Sequence, residues 1–430
     1  MKNKIITSVL MGSMLLGSLA GCSSAPDKTI KNIAEPKPEI NYETVKKTMV
    51  PGFEDKKNAD AYNEYAMKLF SMVAGSEGGA GNIMVSPASV MFALDLADAG
   101  ACKNTLDEIN KAIGGEGLTP EEQQAFASAW MELLNSSEEV KLSVANAIWS
   151  NKDVIGDNLN PEYVEYVDKL FEAKVRSMKF DDSSLNDING WVKEKTDGMI
   201  DKIIDTLDAS TAAVLVNAIA FKGEWEEQYD AYQITPGKFK GTNGESDALM
   251  MTESSPYYYE SDKAIGFSKF YKGGKFKFVA ILPKDEGTDA NAFMSGFTGE
   301  DYAKFMASES ADYDVFSQIP KFKSEYEVML NDVLKGMGIR DAFDPEKADL
   351  TGIAHTENNM YISKVLHKTF IDLDENGTKA AAVTAVSVEC AGIMEDTKQR
   401  KEVICDRPFA YAIVDCQNNK PVFIGTVNNI

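Results

Sequence analysis

Two histidines and five cysteines are the chain's main candidates for covalent or metal chemistry, and neither set is arranged for it. His355 lies in a polar loop and His367 in an apolar, strand-like run. No His-x-x-x-His pair, Cys-x-x-Cys pair or nucleophile elbow accompanies them. A hydrolase built on His367 would need a serine in a strained turn, and none is offered. The run Gly75-Ser76-Glu77-Gly78-Gly79-Ala80-Gly81 lacks the Lys-Ser/Thr that completes a phosphate loop, so it reads as a flexible loop before strand-like Asn82 to Val85. No metal, no cofactor and no enzymatic activity are expected. Two features remain: a thiol near the N-terminus, Cys22, and the segment from Asp372 to Met394.

That segment alternates. Thr378, Ala380, Ala382, Thr384, Val386, Val388 and Cys390 are all small or apolar. Lys379, Ala381, Val383, Ala385, Ser387, Glu389 and Ala391, on the other parity, hold every charge from Thr378 to Ala391. Successive strand side chains point to opposite faces, so the pattern predicts a strand with one face buried and the other solvated. The alanines alone would favour a helix. Helical spacing, however, puts Lys379 and Val383 on one face with Val386 and Ser387.

The elements that would position this segment fill a chain of 430 residues, enough for one large domain or two ordinary ones. Lys plus Arg is 44 against 67 Asp plus Glu, a net charge of −23. Such a surface repels nucleic acid and anionic polysaccharides unless a local basic patch intervenes, and none is present. Lys2 and Lys4 followed by the apolar residues 5–16 read as an export signal too short to span a bilayer comfortably. Leu19-Ala20-Gly21-Cys22 follows and resembles a bacterial lipobox, in which the cysteine thiol takes diacylglycerol. Residues 1–21 are thus expected to be a removed signal, with Cys22 lipidated. Residues 22–57 are polar, with Pro26, Pro36, Pro38 and Pro51, and suit a tether. The folded domain is expected over 58–430, with a first helix from Ala59 to Val73 carrying Tyr62, Tyr65, Ala66, Leu69 and Phe70 on one face. Four cysteines remain in that domain, and spacing signals none of their three possible connectivities. Cys102, Cys390, Cys405 and Cys416 are therefore expected to be free.

Glu375-Asn376-Gly377-Thr378, Lys379 and the run Ala380-Ala381-Ala382-Val383-Thr384 resemble the hinge of the reactive-centre loop of inhibitory serpins. Other matches follow in family order. Asn82-Ile83-Met84-Val85-Ser86-Pro87-Ala88-Ser89, then Gly100-Ala101 and Thr105, resemble the signature around the family's second and fourth helices. Val216-Asn217-Ala218-Ile219-Ala220-Phe221-Lys222-Gly223-Glu224-Trp225 resembles a central-sheet strand. Ile319-Pro320-Lys321-Phe322, the run from Ile362 to Lys368, Arg407-Pro408-Phe409 and Pro421-Val422-Phe423-Ile424-Gly425 complete the series.

The resemblance implies a mixed α/β (α+β) fold with a large central sheet, two further sheets, about eight or nine helices and an exposed loop at about 375–404. It implies a polar shutter of Ser86, Ser89, Asn217 and His367 under the central sheet. It implies a breach at Trp225 and Lys321, with Glu375 pairing Lys321, and a hinge comprising Glu375, Gly377, Thr378, Ala380, Ala381, Ala382 and Thr384. The activity implied is irreversible trapping of a serine protease, in which the cleaved loop enters the sheet while joined to the enzyme. Counting Glu375 as the seventeenth residue before the bond places the bond at Ala391–Gly392, with Cys390, Ile393 and Met394 as alternatives. A later cut, at Lys398, Arg400 or Lys401, would carry Asp396 toward the core, a costly burial. Small residues before the bond fit proteases with a shallow pocket, as in elastase. The expected molecule is a monomer, anchored outside the cell by lipid, with a target protease as partner and no heparin site. A non-inhibitory binding or scaffold protein on the same fold is the alternative.

Overall fold

The computed structural model describes residues 56–77, 79, 81–115, 118–137, 139–356, 359–378 and 398–430. Its central sheet runs β3 (Lys174–Met178), β2 (Val140–Asn151), β4 (Ala213–Glu224), β13 (Gly377–Thr378), β12 (Lys364–Leu373) and β11 (Phe322–Met329). A second sheet orders β1 (Met84–Val85), β16 (Lys420–Val427), β15 (Phe409–Asp415), β9 (Phe276–Pro283), β8 (Ala264–Phe270) and β7 (Tyr258–Glu260). A third, of four strands, orders β14 (Gln399–Ile404), β10 (Tyr313–Pro320), β6 (Gly244–Ser255) and β5 (Ile234–Gly241). Among the described residues there are ten α-helices, one or two more than the resemblance implies. The surplus is of single turns such as Lys152–Ile155.

Period-two alternation explains how the central sheet is held. Along β4, Leu215, Ile219 and Phe221 point into the main core, with Asn217 among them. Val214, Val216, Ala218 and Ala220 point the opposite way, into a second cluster with Trp149, Trp191, Leu366 and Phe370. The helix Asp182–Lys195 covers that side, its start fixed by the Asp181 carboxylate accepting from the Ser183 and Ser184 amides. Both faces of the sheet are therefore covered at mid-strand. The segment expected to bury one face and solvate the other continues from Thr378 into residues 379–397, which lie outside the described residues. On the main-core side the helix Pro87–Asp98, buried along its whole length, starts at Ser86, whose hydroxyl accepts from the Ser89 amide.

β12 and β4 are parallel and pair directly from Lys364–Val214 to Phe370–Ala220. Beyond Phe370 a two-residue wedge separates them. Thr378 pairs with Leu373 on one side and Gly223 on the other, and Gly377 pairs with Glu224. A tight turn makes this possible. The Asp374 carboxylate accepts from the Asn376 amide at 2.7 Å and the Gly377 amide at 3.2 Å, while the Asp374 amide donates to the Gly377 carbonyl. Gly377 has φ +151°, and a Cβ there would stand 2.1 Å from the Gly223 carbonyl oxygen, so only glycine fits.

The first helix runs Lys56–Glu77, longer at both ends than the apolar stripe indicates. The segment expected as a loop at about 375–404 begins in β13 and finishes in β14, so its C-terminal stem is strand rather than loop. Cys405 and Cys416 are free. Cys102 is disulfide-bonded, which corrects the expectation of a free thiol there.

Candidate functional site: the sheet gap and its gate

Ser86, Ser89, Asn217 and His367 meet in one fully buried cluster. The Ser86 amide donates to His367 Nε2 at 3.1 Å, so Nε2 carries the lone pair and Nδ1 the proton. That Nδ1–H donates to Asn217 Oδ1 at 2.5 Å, bridging β12 and β4 across the line where they pair. The Asn217 amide donates to the Ser89 carbonyl, the Ser89 hydroxyl and Asn146 Oδ1. The Ser86 hydroxyl donates to the Val422 carbonyl at 2.7 Å. Burial drives the His367 pKa down to about 3, so the ring is neutral across the ordinary pH range. A second proton would set N–H against the Ser86 N–H. The cluster ties the helix Pro87–Asp98 to both strands, and parting the strands breaks its central bond.

At the wedge end of the sheet, the Trp225 indole N–H donates to the Asp374 carbonyl at 2.9 Å, and its backbone amide to the Asn376 carbonyl at 2.9 Å. The Tyr229 amide donates to the Glu375 carbonyl. Lys321 and Glu375 form an ion pair. Burial raises the Glu375 pKa, but the Lys321 ammonium outweighs it and the carboxyl ends below its usual range. Both partners are partly exposed, so the pair is worth about 1 kcal/mol at most. Thr378 is completely buried, and its Oγ1 lies 2.7 Å from the Tyr271 hydroxyl.

The C-terminal stem is equally tied down. β14 pairs with β10, the Lys398 ammonium donates to the Ala311 carbonyl at 2.9 Å, and the Arg400 guanidinium lies over the Phe316 ring. Lys401 pairs with Glu260 at 3.3 Å and lies over the rings of Tyr258 and Tyr313.

Ala380, Ala381, Ala382, Thr384, Cys390, Ala391, Gly392, Ile393, Met394 and Cys22 lie outside the described residues. Sequence reasoning passed over three contributors. Asn146 stands opposite Asn217 in register, Asp374 shapes the turn, and Tyr271 meets Thr378. Asp374, two residues before Asn376-Gly377, carried a readable turn signal. Tyr271 carried none, being far from Thr378 in the chain.

A family model described as serpin (serine protease inhibitor) matches residues 60–430. The chain belongs to the serpin family. It is 30% identical to mouse leukocyte elastase inhibitor A over 377 residues, covering 84% of this chain and 97% of that protein. The structure of tengpin, a thermophilic serpin, in its native state aligns with a TM-score of 0.80 at 36% identity, covering 87% of this chain and 95% of that one. Human thyroxine-binding globulin complexed with thyroxine aligns at 0.76 and 25% identity, covering 88% and 99%. The three sheets and their helices are those of a serpin. Among the described residues no group of three or more His, Cys, Asp and Glu side chains is placed to hold a metal. No helix of the described residues is long and apolar enough to cross a membrane.

Proposed function

We propose that this serpin inhibits serine proteases as a suicide substrate. The protease cuts the loop, remains bound as the acyl-enzyme, and is carried along as the loop parts β4 from β12 and enters between them. The observation that carries the reading is the wedge: Gly377 and Thr378, near the start of the loop, already stand between those strands. Their register sets where the rest would go. Continuing the pairs Gly377–Glu224 and Thr378–Gly223 would bring Ala380 opposite Phe221, Ala382 opposite Ile219 and Thr384 opposite Asn217. Continuing Thr378–Leu373 along β12 would bring Thr384 opposite His367 as well. Insertion would therefore drive Thr384 between two side chains that are hydrogen-bonded to each other, and its hydroxyl can take over both bonds. Lys379 would pass between Lys222 and Asp372, where its charge has an acid alongside.

The same register reaches the first residue of β4, Ala213, at Val388. The sheet has no length left beyond that point, which agrees with a bond at Ala391–Gly392 or at the neighbouring Cys390, Ile393 or Met394. Lys398, Arg400 and Lys401 stand at or within β14, and a trypsin-like cut there would need that strand pulled from its sheet. The small residues of the window favour elastase-like enzymes, as does likeness to a relative named leukocyte elastase inhibitor. The likeness to thyroxine-binding globulin supports the second reading, a non-inhibitory binding protein. Against it stands the small-residue alternation, which a loop that never inserts has no need to keep. We further propose that Cys22 carries lipid and that residues 22–57 hold the inhibitor off the outer surface of the membrane as a monomer. Mass spectrometry of the mature N-terminus tests the anchor. Mixing the mature chain with an elastase and resolving the products in denaturant tests the trap: a covalent complex plus a released peptide beginning between Ala391 and Met394 is expected. Cleavage with no complex favours the binding protein.

A further inference from the structure

Tyr271 stands where its side chain reaches the hinge residue Thr378 inside the sheet of the uncleaved protein. It follows β8 directly and is completely buried. Its ring stacks on Trp225 with centroids 4.5 Å apart and planes 21° from parallel, and meets Phe221 edge-on at 4.8 Å. Its backbone is fixed too, the amide donating to the Phe276 carbonyl and the carbonyl accepting from the Gly274 amide. Gly223, the register partner of Thr378, makes room for the ring: a Cβ there would lie 3.0 Å from a Tyr271 ring carbon. The hydroxyl so placed reaches Thr378 Oγ1 at 2.7 Å, both groups shut off from water. Trp225, against which the ring stacks, holds the far side of the same turn through the carbonyls of Asp374 and Asn376. One stacked pair thus grips the wedge at both ends.

We propose that Tyr271 is a positioning residue for the trap: its hydrogen bond to Thr378 keeps the hinge inserted in the uncleaved protein, so strand entry begins from a formed wedge. The competing arrangement extends the direct pairing of β12 with β4 past Phe370 and Ala220 and expels Gly377 and Thr378. Entry would then have to open the sheet afresh while the acyl-enzyme is exposed to hydrolysis. The bond weights the balance toward the wedge because breaking one partner leaves the other buried and unsatisfied, whereas removing both leaves no orphan. The effect on trapping rests on the inhibitory reading above. The effect on the wedge does not.

Amide hydrogen exchange of the uncleaved protein reads the wedge directly. Tyr271→Phe and Thr378→Val should each speed exchange at residues 376–378 by about tenfold, and the double variant should be no faster than either single. Thr378→Ser, which keeps the hydroxyl, should exchange like the parent. In parallel, the ratio of trapped complex to cleaved, released inhibitor should fall about tenfold in each single variant and no further in the double. Exchange that is unchanged in Tyr271→Phe, or singles whose effects multiply in the double, would overturn the proposal whatever the trapping assay shows. If the parent forms no complex while exchange responds as stated, the wedge assignment stands and the inhibitory reading fails. If Tyr271→Phe does not fold, Thr378→Val against Thr378→Ser carries the same test.

Discussion

Thr384→Val isolates the step at which the loop would pass the buried cluster. In the uncleaved protein His367 and Asn217 satisfy each other at 2.5 Å. Insertion in the register of the wedge separates them by a full strand and leaves a buried donor and a buried acceptor. Each unsatisfied group costs about 1–3 kcal/mol, and the Thr384 hydroxyl removes most of that cost. Valine matches threonine in shape and strand preference but bonds to neither neighbour, so the inserted form should lose about 2 kcal/mol. The family match spans residues 60–430. At about 2.1 cal/mol/K per residue its unfolding entropy is about 0.8 kcal/mol/K, so the loss corresponds to about 2–3 °C in thermal midpoint. Calorimetry of loop-cleaved protein should show that shift, and the uncleaved variant should melt with the parent. A shift confined to the uncleaved form, or none in either, would refute the register.

Thr378→Arg should abolish trapping while leaving the loop cleavable, because an unpaired guanidinium would have to stand against Tyr271 in a site with no exposed surface; full trapping by this variant in a gel assay would disprove insertion from this hinge. Acid should weaken the closed sheet through His367, whose folded pKa is about 3. Between about pH 3 and 6.5 the unfolded chain binds the extra proton, so this contribution is complete above about 6.5 and declines as pH falls, by about 2 kcal/mol at pH 5. Burial raises the pKa of Asp95 and holds that of Asp98 at about 7, and these carboxyls act in the opposite sense, stabilising the fold toward acid. The His367 term is therefore read as the difference between parent and His367→Gln: their gap in urea stability should narrow by about 2 kcal/mol from pH 7 to pH 5, and a constant gap would contradict a neutral, buried ring. Elastase-like enzymes should be trapped with cleavage between Cys390 and Met394, whereas trypsin-like enzymes should mostly consume the inhibitor beyond Thr397. A stable trypsin complex releasing a peptide that starts after Lys398 or Arg400 would reverse that assignment.

Much of the gate was legible in the residues because its parts are local patterns. The small-residue alternation after Gly377 continues the side on which Thr378 is buried. Ser86, Ser89, Asn217 and His367 could be named together only through family likeness, since their meeting depends on four separate segments. What the sequence hid is what tertiary packing adds. The helix Asp182–Lys195, which covers one face of the central sheet, lies well upstream of the loop, and nothing in the loop's alternation announces it. Lys398 to Lys401 resemble an exposed basic bait, yet pairing of β14 with β10 makes this segment strand. Tyr271 is one tyrosine among 16, and nothing local marks it as the partner of Thr378. The disulfide at Cys102 was likewise invisible, because spacing gives no connectivity.

The central claim is that the cleaved loop becomes a strand of the sheet, and the thermal midpoint of cleaved against intact protein tests it most directly. Residues 379–388 would gain ladders on both sides, ending opposite Ala213. At roughly 1 kcal/mol net per hydrogen bond, the midpoint should rise by about 10 °C or more. Cleaved and intact protein melting together would contradict insertion and leave a serpin fold whose loop stays outside the sheet.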